Sequence, residues 1–233
     1  MKQLIIDHMS FSFYGQKQPF FHNVHITFNS GNIYFIQGKN GIGKTTFFSI
    51  LQGTTPRNAT LTGTVIFENK PFIIKNNNMD KRISSHIKTV VQDINKMIVS
   101  AMSVEDNLRL AHLSNHPRLI PLSSINHIPA IMNTFNINQH AIVQQLSGGQ
   151  KQILAIMMAL QKSTHILLLD EPTAALDEKN SHMVMQFLTD LVKALDIIII
   201  IITHDKELTQ AYADNRVITM QTEKNDTRTL TFL

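Results

Sequence analysis

The sequence predicts an α/β fold, and three stretches carry that prediction. Ile33–Ile36 is a short apolar run rich in β-formers, the glycine-rich stretch Gly38-Lys39-Asn40-Gly41-Ile42-Gly43-Lys44-Thr45-Thr46 follows it, and Phe47, Ile50 and Leu51 then mark one helix face. Strand, loop and helix is the order. Ile166–Leu169 is a continuous apolar run of buried parallel-strand type that stops at Asp170-Glu171-Pro172. Ile197–Ile202 is a second such run, ending at Thr203-His204-Asp205. Two carboxylates and a histidine therefore emerge at one sheet edge, where open α/β sheets place their ligands.

Composition bounds the reading. The chain has 233 residues, 43% of them hydrophobic, enough for one sizeable core with a smaller insert. It has no Cys, which removes disulfides, thiol catalysis and Cys-based zinc sites and suits a reducing compartment. Asp7 interrupts the N-terminus too early for the apolar core of a secretory signal. Ile197–Ile202, the longest greasy run, is far short of the roughly 20 residues that span a bilayer, so a chain soluble by itself is expected. The formal charge of +4 is spread out, with no Lys/Arg block of the kind that binds nucleic acid.

In chain order, Leu4–Phe13 and Val24–Phe28 alternate loosely between apolar and polar, with turn chemistry at Gly15–Pro19, and predict a small antiparallel sheet. Tyr14 stands at its first turn, where the ring either covers the sheet or offers a platform on which a base can stack. Gly38–Thr46 reads as a triphosphate cradle. Glycines at 38, 41 and 43 let successive N–H groups and the helix N-terminus point at phosphate oxygens. Lys44 adds charge at the β- and γ-phosphates, and the Thr45 hydroxyl is a Mg²⁺ ligand. Gly53 predicts a helix C-cap, Gly63–Phe67 a strand, Glu68-Asn69-Lys70-Pro71 a turn, and Lys75–Lys81 a surface loop. Ile87–Val91 predicts a strand ending at Gln92, whose amide either sits exposed or ligates the metal.

From Ile94 to Gln145 the texture becomes helical, with periodicity over Val104–Leu113 and Ile125–Phe135 broken by three prolines, and a helical insert is expected. Met97, Ile98, Val99 and Met102 form an apolar cluster at its start, read either as core or as a docking surface for a partner helix. Ser147 with Gln150 forms a capping-box pattern ahead of an apolar helix. Gly148 and Gly149 are poor helix formers for the positions they take, so something must favour bare backbone there, and an approaching anion would. Asp170 is placed to hold Mg²⁺ directly or through water, and Glu171 to take a proton from an attacking water. His204 emerges where it can sense a γ-phosphate. His112 and His116 have i, i+4 ligand spacing but no third ligand in view. A helix is expected over Glu178–Leu195, with closing strands at Val217–Met220 and Thr229–Phe232.

These residues, in this order, resemble the ATPase subunit of the ATP-binding cassette (ABC) transporters over nearly the whole chain. Gly38–Thr46 is similar to the Walker A loop, Gln92 to the Q-loop glutamine, Leu146-Ser147-Gly148-Gly149-Gln150 to the unaltered signature LSGGQ, and Ile166–Glu171 to Walker B with its catalytic glutamate. Ala175-Leu176-Asp177 resembles the D-loop, His204 the switch histidine, and Tyr14 the adenine-stacking aromatic. The resemblance implies a P-loop NTPase with a RecA-like core, an N-terminal antiparallel β subdomain and an inserted α-helical subdomain. The implied division places the catalytic core at 1–92 and 160–233 and the helical signature subdomain at 93–159, all in one domain.

The resemblance further implies ATP and Mg²⁺ as cofactors. Glu171, His204 and Lys44 would be catalytic, and Thr45, Gln92 and Asp170 would hold the metal. Tyr14, Gly38, Asn40, Gly41, Gly43, Lys44, Thr45 and Thr46 would bind the nucleotide. Ser147, Gly148, Gly149 and Gln150 would close over it from a second cassette in a head-to-tail homodimer or heterodimer. The implied partners are a membrane permease on another chain and a solute-binding protein, with no nucleic acid, at the inner cytoplasmic face of the cell membrane. A bacterial small-solute importer is the closest likeness; the alternatives are an exporter cassette and a soluble ABC-type ATPase acting on nucleic acid or ribosomes. No appended regulatory domain is expected after His204.

Overall fold

The computed structural model describes residues 2–56, 58–74, 80–113, 132–160, 163–214, 216–223 and 225–232. Most of the expected loop Lys75–Lys81, most of the expected helix Ile125–Phe135, and His116 with the side chain of His112 lie outside them. The strands are β1 (Gln3–Ser12), β2 (Phe21–Asn29), β3 (Asn32–Gln37), β4 (Thr60–Phe67), β5 (Lys70–Ile73), β6 (Ile87–Val90), β7 (Ile166–Asp170), β8 (Ile198–Ile202), β9 (Val217–Thr222) and β10 (Arg228–Phe232). The helices are α1 (Lys44–Gln52), α2 (Lys81–Ser84), α3 (Val104–Leu113), α4 (Gly148–Ala159), α5 (Glu178–Leu195) and α6 (Lys206–Tyr212).

Among the described residues, the ten strands form one sheet, ordered β5-β4-β1-β2-β10-β9-β3-β8-β7-β6. The half from β9 to β6 is parallel, and the half from β5 to β2 is antiparallel. Parallel strands ending together bring Gln37, Ile202, Asp170 and Val90 to one edge, and the segments that follow them all start there. The β9–β10 hairpin, expected only as closing strands, is the seam between the two halves.

Strands β7 and β8 read as unbroken apolar runs because both their faces are buried. Ile166, Leu168, Ile198, Ile200 and Ile202 pack with α1 and the antiparallel half. Leu167, Leu169, Ile199 and Ile201 pack with α4 and α5 on the opposite face. Each such side chain contributes about 1.5–3 kcal/mol on burial. Val104 and Leu108 of α3 belong to that second core, so α3 and the sheet bury apolar surface jointly.

One expected turn is shorter than the sequence suggested. Only Glu68 and Asn69 turn, with φ of 50° and 61°, the two-residue hairpin geometry, and Lys70-Pro71 already belong to β5. Proline is accepted there because β5 is the outermost strand, with one side free of ladder bonds.

Candidate active site

The loop between β3 and α1 is built on backbone geometry that side chains would obstruct. Gly43, the α1 N-cap, has φ 119° and ψ 12°, and a Cβ on it would lie 2.5 Å from the Phe20 ring. The first turn of α1 has no side-chain cap and no acidic residue. By contrast, Ser147, Asp177 and Asp205 cap α4, α5 and α6. The α1 N–H groups are thus left for an external acceptor, the arrangement that receives anions. The buried Lys44 ammonium donates to the carbonyls of Gly38 (2.8 Å) and Lys39 (3.1 Å) and lies 3.4 Å from His204 Nε2. Burial lowers its pKa, opposed by the charges of Glu171 and Asp170.

The end of β7 supplies the acids. Thr45 Oγ1 donates to Asp170 Oδ2 at 3.4 Å. Burial raises the Asp170 carboxyl above the usual range against the opposing Thr45 hydrogen bond and the Lys44 charge. Glu171 leaves the strand with φ 50°, and burial likewise raises its carboxyl, His204 opposing. Its Oε1 is buried and accepts no well-formed hydrogen bond, although His204 Nε2 lies 3.3 Å away. A desolvated carboxylate with a free lone pair and an imidazole beside it suits a general base.

A cavity of about 550 Å³ unites most of the predicted site. Asn40, Gly41, Gly43, Lys44, Thr45, Thr46, Gln92, Asp170, Glu171 and His204 line it, joined by Ala174 and Ile202. Gly38 lies at the base of the loop, where a Cβ would meet the Met220 carbonyl oxygen at 2.8 Å. Tyr14 is not in the lining. It occupies a turn with Gly15 (φ 78°), closed by a hydrogen bond from Gln16 N to Phe13 O, and its ring is 83% exposed.

Ser147, Gly148, Gly149 and Gln150 are not in the lining either, and all four have duties within the chain. Ser147 and Gln150 form the reciprocal capping box, and the Gln150 amide also donates to Asn136 O at 3.1 Å. A Cβ on Gly148 would lie 2.9 Å from Leu176 Cδ2, and one on Gly149 would lie 2.7 Å from Asn180 Oδ1. A Cβ at either position would therefore displace side chains at or just before the start of α5, a crowding that sequence periodicity does not reveal. Ser147 and Gly148 remain exposed. Phe20 and Met220, which shape the cradle, carried no local signal; Asp205 did, as an N-cap before Leu208.

The Thr45 hydroxyl, the Gln92 amide and the Asp170 carboxylate are hard oxygen donors facing one cavity, and the close Thr45–Asp170 pair fits the needs of Mg²⁺. Among the described residues no cluster of three or more His, Cys, Asp or Glu could hold a metal by itself.

A profile of the ABC transporter family matches residues 21–174. This chain belongs to the ABC transporter family. Within that family it is 31% identical over 226 residues to the methionine import ATP-binding protein MetN of Streptococcus agalactiae, covering 94% of this chain and 62% of that protein. The chain thus spans less than two thirds of that relative. It is 30% identical to the tyrosine transport ATP-binding protein of Clostridioides difficile, covering 92% of this chain and 87% of that one. Among solved structures, cbiO1 from Clostridium perfringens, part of the ABC transporter complex cbiONQ, superposes with a TM-score of 0.76 at 26% identity, over 94% of this chain and 84% of that one. The α/β architecture is that of an ABC cassette. Among the described residues, no helix is long and apolar enough to cross a membrane.

Proposed function

We propose that this chain is the ATP-binding and ATP-hydrolysing subunit of an ABC importer for a small solute, acting on a separate membrane permease from the cytoplasmic face. The observation that carries the reading is the single cavity lined by the phosphate loop, Gln92, Asp170, Glu171 and His204. The nucleotide phosphates lie along Gly38–Thr46, with Asn40, Gly41, Gly43 and Thr46 supplying N–H groups and the base on Tyr14. Thr45, Gln92 and Asp170 hold Mg²⁺, which neutralises charge on the β- and γ-phosphates when bound. Glu171 polarises the attacking water, and Lys44 and His204 stabilise charge on the phosphoryl group.

Ser147, Gly148 and Gly149, absent from this chain's own cavity, close the site of a second cassette, so hydrolysis belongs to a head-to-tail dimer. The exposed apolar side chains of Val99, Met102 and Ile142 in the helical subdomain 93–159, with Val91 beside Gln92, form the permease-docking face. The relatives named for methionine import and tyrosine transport support a small-solute importer over an exporter or a soluble ATPase.

The test is steady-state ATPase of the purified chain with Mg²⁺, without Mg²⁺, and for Glu171→Gln. Turnover that depends on Mg²⁺ and disappears in Glu171→Gln, with ATP retained in a dimer, is expected. Near-normal turnover in that variant would remove Glu171 from the role of base.

A further inference from the structure

The β9–β10 hairpin lies far along the chain from the phosphate loop, yet it reaches both ends of it. At the start, β9 pairs with β3 as far as Gln37↔Thr219, and Gly38 rests on the Met220 carbonyl. At the end, Gly43 rests on the Phe20 ring, and the Arg228 guanidinium of β10 stacks on that same ring, 4.2 Å from its centroid. The backbone repeats the link: Arg228 N donates to Phe20 O at 2.9 Å, beside the register pair Arg228↔Phe21 that joins β10 to β2.

The Arg228 side chain is 18% exposed, and its Nε is buried without a hydrogen-bond partner. Its other contacts are to Asp226, through the carbonyl oxygen and a carboxylate 3.7 Å away. The guanidinium is thus held between the Phe20 ring on its face and Asp226 at its end.

We propose that Arg228 is a positioning residue for nucleotide binding: stacked on Phe20, it presses that ring against Gly43 and so sets the curvature of the phosphate loop. This rests on the reading that Gly38–Thr46 binds nucleotide. The loop N–H groups must converge on phosphate oxygens to within about 0.5 Å, so a Phe20 ring that is free to shift weakens binding without touching the groups that perform chemistry.

The test is ADP binding by calorimetry and ATPase for Arg228→Met, Phe20→Leu and the double variant. Arg228→Met is expected to raise the ADP Kd about three- to tenfold, the range of a partly desolvated cation–π contact. GDP affinity falls by the same factor because the effect acts on phosphates, and kcat at saturating ATP stays within about twofold. Phe20→Leu weakens binding likewise, and the double variant is no worse than the poorer single one.

An unchanged Kd with a lowered Tm would overturn the proposal and leave Arg228 as a staple between β10 and β2. Losses that multiply in the double variant would overturn it too. Should Arg228→Met fail to fold, an unchanged Kd in Phe20→Leu suffices to reject it. A wild-type chain that binds no ADP would instead overturn the function on which the proposal rests.

Discussion

Gly43→Ala tests the construction of the phosphate loop most directly. At φ 119° an alanine carries backbone strain of about 1–3 kcal/mol. Its Cβ would lie 2.5 and 2.9 Å from two carbons of the Phe20 ring and 3.3 Å from Phe21. Phe20 has little room to yield: it packs edge-on against Phe13 and Phe21 at centroid distances of 5.0 and 5.1 Å, and Arg228 covers it. Overpacking of this kind costs about 1–3 kcal/mol, so the total is about 2–6 kcal/mol.

Gly41→Ala is the control. Its φ is 73° and nothing lies within 4 Å of the added methyl, leaving a left-handed penalty of about 1–2 kcal/mol. Urea unfolding followed by circular dichroism should place Gly43→Ala clearly below Gly41→Ala. On heating, each kcal/mol corresponds to about 2–4 °C in Tm for a chain of this length. Phe20→Leu should restore part of the loss in the Gly43→Ala background. Equal destabilisation at the two glycines would refute the assigned role of the Phe20 contact.

Two further predictions concern buried polar groups. Because burial raises the Glu171 carboxyl above its ordinary 4.5, the folded chain binds that proton more tightly than the unfolded chain, and stability is lost as pH rises through the folded value. Nucleotide-free Glu171→Gln should therefore match wild type in Tm near the ordinary glutamate value and exceed it at neutral pH; a difference that shrinks as pH rises would contradict the sign. Asn107 is fully buried, accepting from Val99 N at 2.7 Å and donating to Val99 O and Ser103 O at 3.0 and 2.9 Å. Asn107→Leu should cost about 1–3 kcal/mol for each group it orphans and speed amide exchange at Val99; unchanged urea stability would show that the clamp carries no energy.

The parts legible from the sequence are those whose cause is local. Asp177 caps a helix that runs over Glu178–Leu195 as its periodicity indicates, because capping and the apolar stripe depend on neighbours a few residues away. The phosphate loop is equally local: glycine spacing, Lys44 and Thr45 state what the backbone can wrap. Asp170, Glu171 and His204, at and just beyond the ends of two apolar strands, could be read as one edge because parallel strands finish on the same side. The Lys70-Pro71 strand was not legible, since proline's acceptability there depends on β5 being outermost.

Tertiary structure alone decided why particular residues must be small, buried or charged. Leu176 and Asn180 stand against Gly148 and Gly149, and Phe20 against Gly43, contacts that no local pattern announces. The β9–β10 hairpin could be recognised as two strands, but its place as the seam beneath both ends of the phosphate loop could not. Local sequence specifies dihedral preferences and which face is apolar. The partner that a given atom meets across the sheet follows only from the order in which the strands assemble.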